Sequence, residues 1–371
     1  MSVVLLIVGI ILFVGLVVLH EFGHFIAARR NGVEAEEFGI GFPPRAWGKK
    51  MRSGVLFSLN WLPIGGFVKL KGENDSATEP GSFGAASFKT KTKIMLAGVA
   101  MNLLAAFVIF TVLAWVGMPQ LIDNQYTVKS DTKVLVRQVL VGYVESGSPA
   151  SKAGLHSRDR LLGYRQAGSN APFKPFAAAA DLPKVTKANA GRTVELSYSR
   201  DGQTRQASVR LRTTQQAKDG SYLGVAPAEF TLTRATWSAP IQALGLMKQF
   251  TIATFQGLGT AISALFHGDG AKASEQVSGP VGIVVVLRDG SLLGYQFVLL
   301  IVGLISLSLA IMNVLPIPAL DGGRFYVLLL SRVFGRKRLS KQMEERIVGA
   351  SFVFLLFLIL VITIVDVKRF F

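Results

Sequence analysis

The chain reaches His20-Glu21-Phe22-Gly23-His24 at the end of an apolar run that carries no charged residue from Met1 to Leu19. Residues four apart share a helix face, so His20 and His24 can direct two imidazole nitrogens at one metal ion, with Glu21 beside them as a general base. Zinc held in this way needs a third protein ligand and an open position for water. The motif therefore predicts a hydrolytic zinc site at the end of an apolar helix.

The composition is that of an integral membrane protein. Half of the 371 residues are hydrophobic and only 17% are charged, which is too apolar for an ordinary soluble domain. Lys and Arg (40) exceed Asp and Glu (23) by 17. Much of this excess flanks apolar stretches, so it indicates membrane orientation rather than nucleic-acid binding. The chain has no cysteine, so a metal must be bound through His and carboxylate side chains.

Four apolar segments are long enough to cross about 30 Å of hydrocarbon. The loops after the first and third of them are basic, which places those loops in the cytoplasm and both termini outside. The expected organisation is membrane α-helical, with an inserted α+β domain. Its parts are a first span at 1–28, a cytoplasmic loop at 29–93, a second span at 94–122, an extracytoplasmic domain at 123–230, a linker helix region at 231–290, a third span at 291–315, a cytoplasmic segment at 316–346 and a fourth span with a tail at 347–371.

Two other features of the apolar pattern need an interpretation. The first span lacks the basic start and the cleavage signal of a secretory signal peptide, so we expect it to be retained. A fifth stretch, 235–266, is also apolar, but Lys248 interrupts it. If it crossed the membrane, Asp321 would lie on the side opposite His20. We therefore expect a long helix near the outer surface.

Two regions outside the spans predict β structure. In the cytoplasmic loop, 55–59 and 67–70 are extended runs joined through 60–66, which predicts membrane-associated β-hairpins with an edge strand open to an extended peptide. Between 131 and 213, Ser148 to Leu155 predicts a short capped helix ending at Gly154, and Asp201-Gly202 predicts a hairpin turn. The candidate strands there are 134–136, 139–144, 161–162, 194–198 and 207–211.

Asp321 is the candidate third ligand. It follows Pro316 and Pro318, which should break the third span, and span parity returns it to the side of His20 and His24. The alternative ligands are Glu34, Glu36 and Glu37, as in a zinc peptidase of another clan that faces the aqueous phase.

The site is expected near the inner boundary of the hydrocarbon, because the helix before His20 covers roughly 25 Å. Ionisable groups at that depth are costly unless they are paired or bind a metal. Zinc would acidify its water and polarise the scissile carbonyl, while Glu21 takes the proton of that water and passes it to the leaving amine.

The chain resembles the site-2 proteases, the intramembrane zinc metalloproteases of peptidase family M50, in the bacterial subgroup with a single inserted PDZ domain. The 131–213 region resembles a circularly permuted PDZ domain, with Arg158 where that type has Gly. The shared motifs are His20-Glu21-Phe22-Gly23-His24-Phe25, Phe38-Gly39-Ile40-Gly41-Phe42-Pro43, Gly65-Gly66-Phe67-Val68-Lys69, Ser278-Gly279-Pro280-Val281-Gly282-Ile283, and the segment from Asn313 to Gly322 with Pro316, Pro318, Leu320 and Asp321.

The resemblance implies a site. Zn²⁺ is the implied cofactor, His20, His24 and Asp321 are its ligands, and Glu21 is the catalytic base. Groups expected to hold an unwound substrate are Asn313, Asn102 and the hairpin edge at Gly65, Gly66 and Phe67. The alternative role of both asparagines is to bridge helices, and that of Gly98 is close helix packing.

The resemblance also implies a function. The expected reaction is cleavage of transmembrane segments of other membrane proteins, in regulated proteolysis such as anti-sigma factor cleavage or in clearance of signal-peptide remnants. The expected partners are membrane proteins with a single transmembrane segment, the lipid bilayer and an upstream site-1 protease, with no nucleic acid. The expected location is the bacterial inner membrane, with the active site near the cytoplasmic side. The rival reading is a non-proteolytic membrane scaffold that binds protein tails through its PDZ domain.

Overall fold

A computed structural model describes residues 2–73, 77–122, 124–200, 202–217, 220–334 and 341–371. They form two compact units. The first comprises Met1–Trp115, Tyr126–Val128 and Trp237–Phe371, and the second comprises Val116–Gln125 and Lys129–Thr236. The predicted turn at Asp201-Gly202 lies partly outside the described residues.

The first unit contains helices and one sheet. Its elements are α1 (Ser2–Arg30), β1 (Ala35–Lys50), β2 (Leu56–Leu70), α2 (Phe88–Val116), α5 (Ala239–Phe266), α6 (Gly270–Glu275), α7 (Pro280–Leu293), α8 (Tyr295–Val314), α9 (Asp321–Val333) and α10 (Lys341–Phe370). The second unit contains β3 (Met118–Pro119), β4 (Lys133–Val144), α3 (Pro149–Lys152), β5 (Arg160–Gln166), β6 (Lys174–Pro175), α4 (Asp181–Ala188), β7 (Thr193–Arg200), β8 (Gln203–Arg210) and β9 (Val225–Arg234).

The four predicted spans correspond to helices that are long and apolar enough to cross a membrane. Within the described residues these candidate spans are Val3–Arg30, Phe88–Val116, Tyr295–Val314 and Arg346–Phe370. Within the apolar stretch 235–266, residues Ala239–Phe266 form α5, which is not among them. Chain composition and these helices together identify a membrane protein that also carries β structure.

Two helix ends differ from the predicted span boundaries. The second span was expected at 94–122, but α2 ends at Val116, because Gly117 has a φ of +131° and Met118–Pro119 pairs with β9. The third was expected from residue 291, but Gly294, with a φ of +117°, separates α7 from α8. Both glycines adopt backbone conformations that L side chains rarely take, and hydropathy does not reveal that.

The sheet of the first unit is curled, so that residues of β1 pair on both sides. Phe38 pairs with Val68 on one side and with Phe57 on the other, and Gly39 pairs with Phe67 and Ser58. The predicted connection at 60–66 was wrong, because these residues continue β2. The first half of β1 therefore lies between the two halves of β2, and the 66–70 half forms an edge. Phe38, Val55 and Leu70 pack with Ile94, Met95 and Leu328 in one buried cluster.

The second unit is built on an antiparallel sheet in the order β3-β9-β4-β5-β7-β8, with β6 paired to β5. Its core contains Val139, Leu155, Leu161 and Leu196. Ser148 caps α3 by accepting from the Ser151 N–H at 3.1 Å. Arg158 has a φ of +74°, the left-handed conformation that explains why glycine is expected at this position.

A buried carboxylate of α10 caps α7. Asp366 is 1% exposed, and its Oδ2 accepts the backbone N–H groups of Gly279 and Gly282 at 2.9 and 2.7 Å. The α7 helix has no side-chain cap of its own, so Asp366 satisfies donors that would otherwise stay unpaired. The capped helix packs through Leu287 against Leu16 and Val298, which lie on α1 and α8.

Replacing Asp366 with alanine should destabilise the first unit. Two buried N–H groups would lose their acceptor, at about 1–3 kcal/mol for each group. Asp366→Asn keeps one acceptor oxygen and should lose less. The thermal midpoint of the detergent-solubilised full chain measures the effect, with exposed Lys368→Ala as the control for a charge change at the end of α10. An unchanged midpoint in Asp366→Ala would contradict the capping role.

Candidate metal centre

The α1 helix presents both histidines toward one point. His20 and His24 are one helical turn apart, and their Nε2 atoms lie 3.2 Å from each other. The two side chains are 10% and 12% exposed, so water covers little of either ring. Two imidazoles that meet in this way inside an apolar helix need a third group or a cation to offset their lost hydration.

Asp321 reaches the histidines from the first turn of α9. After α8 ends at Val314, the chain turns through Pro316 and Pro318 and begins α9 at Asp321. Gly322 and Gly323 make this turn possible, since a Cβ on either would lie within 2.3 Å of the backbone carbonyl oxygen of Val314 or Ile317.

An ion pair fastens the start of α9. Arg324 donates to the Glu73 carboxylate at 2.9 Å and to the Glu73 carbonyl at 2.8 Å. Because Glu73 follows β2, this pair ties the first turn of α9 to the end of the sheet. Asp321 lies in that same turn, so the ion pair restricts its position.

The three ligand atoms fit a tetrahedral metal ion. Asp321 Oδ2 lies 3.1 Å from His20 Nε2 and 3.2 Å from His24 Nε2. A tetrahedral ion with bonds of about 2.0–2.1 Å separates its ligands by roughly 3.3 Å. Oδ2 is buried and accepts no well-directed hydrogen bond from the described residues. Among those residues, this is the group of His and carboxylate side chains that could hold a metal.

Three successive turns of α2 line the back of the site. The Ile94 carbonyl lies 2.8 Å from His24 Nδ1, and the Asn102 amide lies 3.2 Å from His20 Nδ1. Gly98 lies between them, where a Cβ would approach His24 Nε2 to 2.5 Å and His20 Nε2 to 2.7 Å. The close packing expected of Gly98 is therefore directed at the metal ligands themselves.

Glu21 lies beside the ligands and next to the sheet edge. The backbone N–H of Val68 lies near this half-buried carboxylate and favours its negative charge. A Cβ on Gly66 would lie 3.4 Å from Glu21 Cγ, so glycine leaves the carboxylate close to the strand. The arrangement places an acceptor for a proton between the metal ligands and an edge strand.

The remaining predicted site residues lie on α8 and β2. Asn313 is on α8, where its amide donates to the Leu309 carbonyl at 3.0 Å within its own helix. Gly65 has a φ of +93° at a bend in β2, and the Phe67 ring covers Gly39. The substrate-binding roles of these residues stay predictions.

The alternative carboxylates have other partners. Glu34 pairs with Lys71, Glu36 pairs with Lys69, and Glu37 accepts from Ser58 at 2.6 Å. The structure brings Asp321 to the histidines instead.

Sequence reasoning missed three contacts at the site. The Ile94 carbonyl and the Val68 N–H are backbone groups, which carry no side-chain signal. Arg324 could have been singled out, because it lies three residues after Asp321 in a turn that must be held in place.

Comparison with known proteins supports the chemistry of this arrangement. A model of peptidase family M50 matches residues 8–358. The chain is 29% identical to an inferred zinc metalloprotease of Clostridium acetobutylicum, over 98% of this chain and 97% of that protein. It is 28% identical to one of Clostridium perfringens, over 98% of each chain. It is 27% identical to an inferred chloroplast membrane metalloprotease of Arabidopsis thaliana, over 95% of this chain and 77% of that protein.

Replacing Gly98 with alanine should displace the metal ligands. The added methyl group would overlap both imidazoles, so we expect the purified protein to bind well under one zinc ion per chain. Elemental analysis after equilibration with zinc measures this. Gly15→Ala on α1 is the matched control, because a Cβ there meets no described atom within 4 Å. Full zinc content in Gly98→Ala would show that the rings can move without losing the ion.

Proposed function

Because the chain belongs to peptidase family M50, we propose that it is a site-2 type intramembrane zinc metalloendopeptidase, which cleaves transmembrane segments of other membrane proteins. The observation that carries this proposal is the triangle of His20, His24 and Asp321 with Glu21 beside it, on and next to candidate membrane spans. Substrates in regulated proteolysis, such as anti-sigma factors, and remnants of signal peptides both belong to this class.

The residues of the site divide the chemistry of peptide hydrolysis among them. His20, His24 and Asp321 would hold Zn²⁺, which when bound supplies a Lewis acid that polarises the scissile carbonyl and acidifies water. Glu21 takes the proton from the attacking water and delivers it to the leaving amine. The backbone N–H of Val68 lies near the Glu21 carboxylate and would help to orient it for both proton transfers.

The sheet edge at Gly65, Gly66 and Phe67 is the proposed holder of the substrate. Residues 66–70 pair with β1 on one side, and a Cβ on Gly66 would lie 3.4 Å from Glu21 Cγ, so this edge lies close to the carboxylate. A peptide that is locally unwound could pair there as an added strand. Asn313 would contact its backbone near the metal.

The proposed topology follows from the charge of the loops. The loop between the first two candidate spans and the loop before the fourth are basic, which favours a cytoplasmic location for both and an extracytoplasmic location for the termini. The second unit would then be an extracytoplasmic PDZ-like domain that admits substrates trimmed by an upstream site-1 protease. The proposed location is the bacterial inner membrane.

A membrane scaffold without proteolytic activity is the competing proposal. In a scaffold, the β-rich second unit would bind protein tails. Such a scaffold would not require the group formed by His20, His24 and Asp321, or Glu21 beside it. The geometry of the first unit therefore favours the enzyme, and the two experiments below separate the proposals.

The Glu21→Gln variant should retain zinc and lose proteolysis. A glutamine cannot take a proton from water, and loss of general acid–base catalysis lowers rates by about 10²–10⁴-fold. Cleavage of a membrane protein with one transmembrane segment by the purified chain, with and without a zinc chelator, measures the activity. Glu36→Gln is the control, because Glu36 pairs with Lys69 at the surface. Undiminished cleavage by Glu21→Gln would reject the enzyme as proposed.

The Asp321→Ala variant should lose most of its bound zinc, because two imidazoles alone do not complete a zinc site. A variant in which Glu34, Glu36 and Glu37 are all changed to Gln should retain one zinc ion per chain. Elemental analysis of both proteins provides the comparison. The opposite pattern would assign the third ligand to the loop after α1 and place the protein with another class of zinc peptidase.

A further inference from the structure

Asn102 lies against the metal site without a role in the chemistry described so far. It is 1% exposed, and its amide nitrogen lies 3.2 Å from Nδ1 of His20. Its Oδ1 is buried and has no hydrogen-bond partner among the described residues. A buried amide with one end on a metal ligand and the other end unpaired needs an explanation.

The tautomer of His20 decides which end of the amide faces the ring. His20 directs Nε2 at Asp321 and His24, so the metal-binding form is neutral and carries its hydrogen on Nδ1. An N–H group cannot be bonded by the NH₂ end of an amide, because both are donors. Whichever way the Asn102 amide is turned, the end that points away from His20 has no partner among the described residues. The contact with His20 therefore determines the orientation of the amide. With zinc on Nε2, only the carbonyl oxygen of Asn102 can face Nδ1.

The backbone of Asn102 is held in place by a contact with a neighbouring helix. Ser306 on α8 is fully buried and donates its hydroxyl to the Asn102 carbonyl at 2.8 Å. This bond joins α2 to the helix that leads to Asp321. Asn102 also lies two turns after Ile94, whose carbonyl is 2.8 Å from His24 Nδ1. One face of α2 thus contacts the outer nitrogen of each histidine ligand.

We propose that Asn102 is a positioning residue for the zinc site, whose Oδ1 accepts the Nδ1–H of His20. This bond holds the ring in the tautomer and orientation that present Nε2 to the ion, as outer partners of histidine ligands do in other zinc proteins. The proposal replaces the expected contact between Asn102 and substrate. It rests on zinc at the triangle, hence on the metal of the proposed function, but not on any property of the substrate.

Zinc affinity of the purified full chain tests this role directly. Asn102→Leu has a similar size and no acceptor, and its dissociation constant for zinc should rise about 10–100-fold. Asn102→Asp keeps an acceptor oxygen in the same place and should retain wild-type affinity. Thr111→Val is the control, because it removes a buried hydroxyl of α2 that donates to the Phe107 carbonyl of the same helix. Competition with a chelator gives the constants, and the visible spectrum of the Co²⁺ form reports ligand geometry.

The outcomes separate this proposal from the proposed function. Wild-type affinity and an unchanged Co²⁺ spectrum in Asn102→Leu would overturn it, and a raised KM for substrate in that variant would return Asn102 to substrate binding. Equal loss of zinc in the Leu and Asp variants would also overturn it, since packing alone would then explain the effect. If the Leu variant does not fold, Asn102→Ala takes its place with the same expected loss. A wild-type chain without zinc would refute both proposals together.

Discussion

Three candidate ligand atoms lie 3.1–3.2 Å apart inside an apolar helical unit, and the surrounding structure depends on how their mutual repulsion is offset. The lone pairs of two imidazoles and a carboxylate repel one another, and the low-dielectric surroundings strengthen that repulsion. A bound cation reverses its sign, so folding and metal binding stabilise each other. The ligands come from α1 and from the start of α9, and the elements between them must bring these two ends together.

Glycines without side chains allow α1 and α2 to approach each other closely enough to meet that requirement. A Cβ on Gly23 would lie 2.6 Å from the Ala97 carbonyl oxygen, and one on Gly98 would overlap the imidazoles. These glycines let α1 and α2 approach until a backbone carbonyl and an amide of α2 reach the outer nitrogens of the histidines. Polar groups buried in apolar surroundings are costly when unpaired, and each imidazole has a polar atom within 3.2 Å of both of its nitrogens.

Much of this arrangement could be predicted from the sequence, because it depends on the spacing of residues along a helix and on the number of spans between two motifs. The i, i+4 spacing of His20 and His24 defines a helix face, and counting the predicted spans brings Asp321 back to the end of α1 that carries the histidines, where the structure has it. The boundaries near Gly117 and Gly294 could not be predicted, since hydropathy does not register a positive φ. The curl of β1 and β2 was missed because residues 60–66 contain Pro63, Gly65 and Gly66, which usually mark turns. Asp366 gave no signal because the groups that it caps lie far from it in sequence.

The edge of β2 gives the proposed reaction its physical feasibility. A transmembrane helix satisfies all its backbone groups internally, and unwinding it in an apolar environment leaves donors and acceptors unpaired at several kcal/mol each. A strand edge next to Glu21 can restore those hydrogen bonds where water must attack. A side chain at Gly66 would lie against Glu21, so the glycine there leaves the carboxylate accessible from the edge. The proposed general base therefore lies beside the strand at which an unwound substrate could recover its hydrogen bonds.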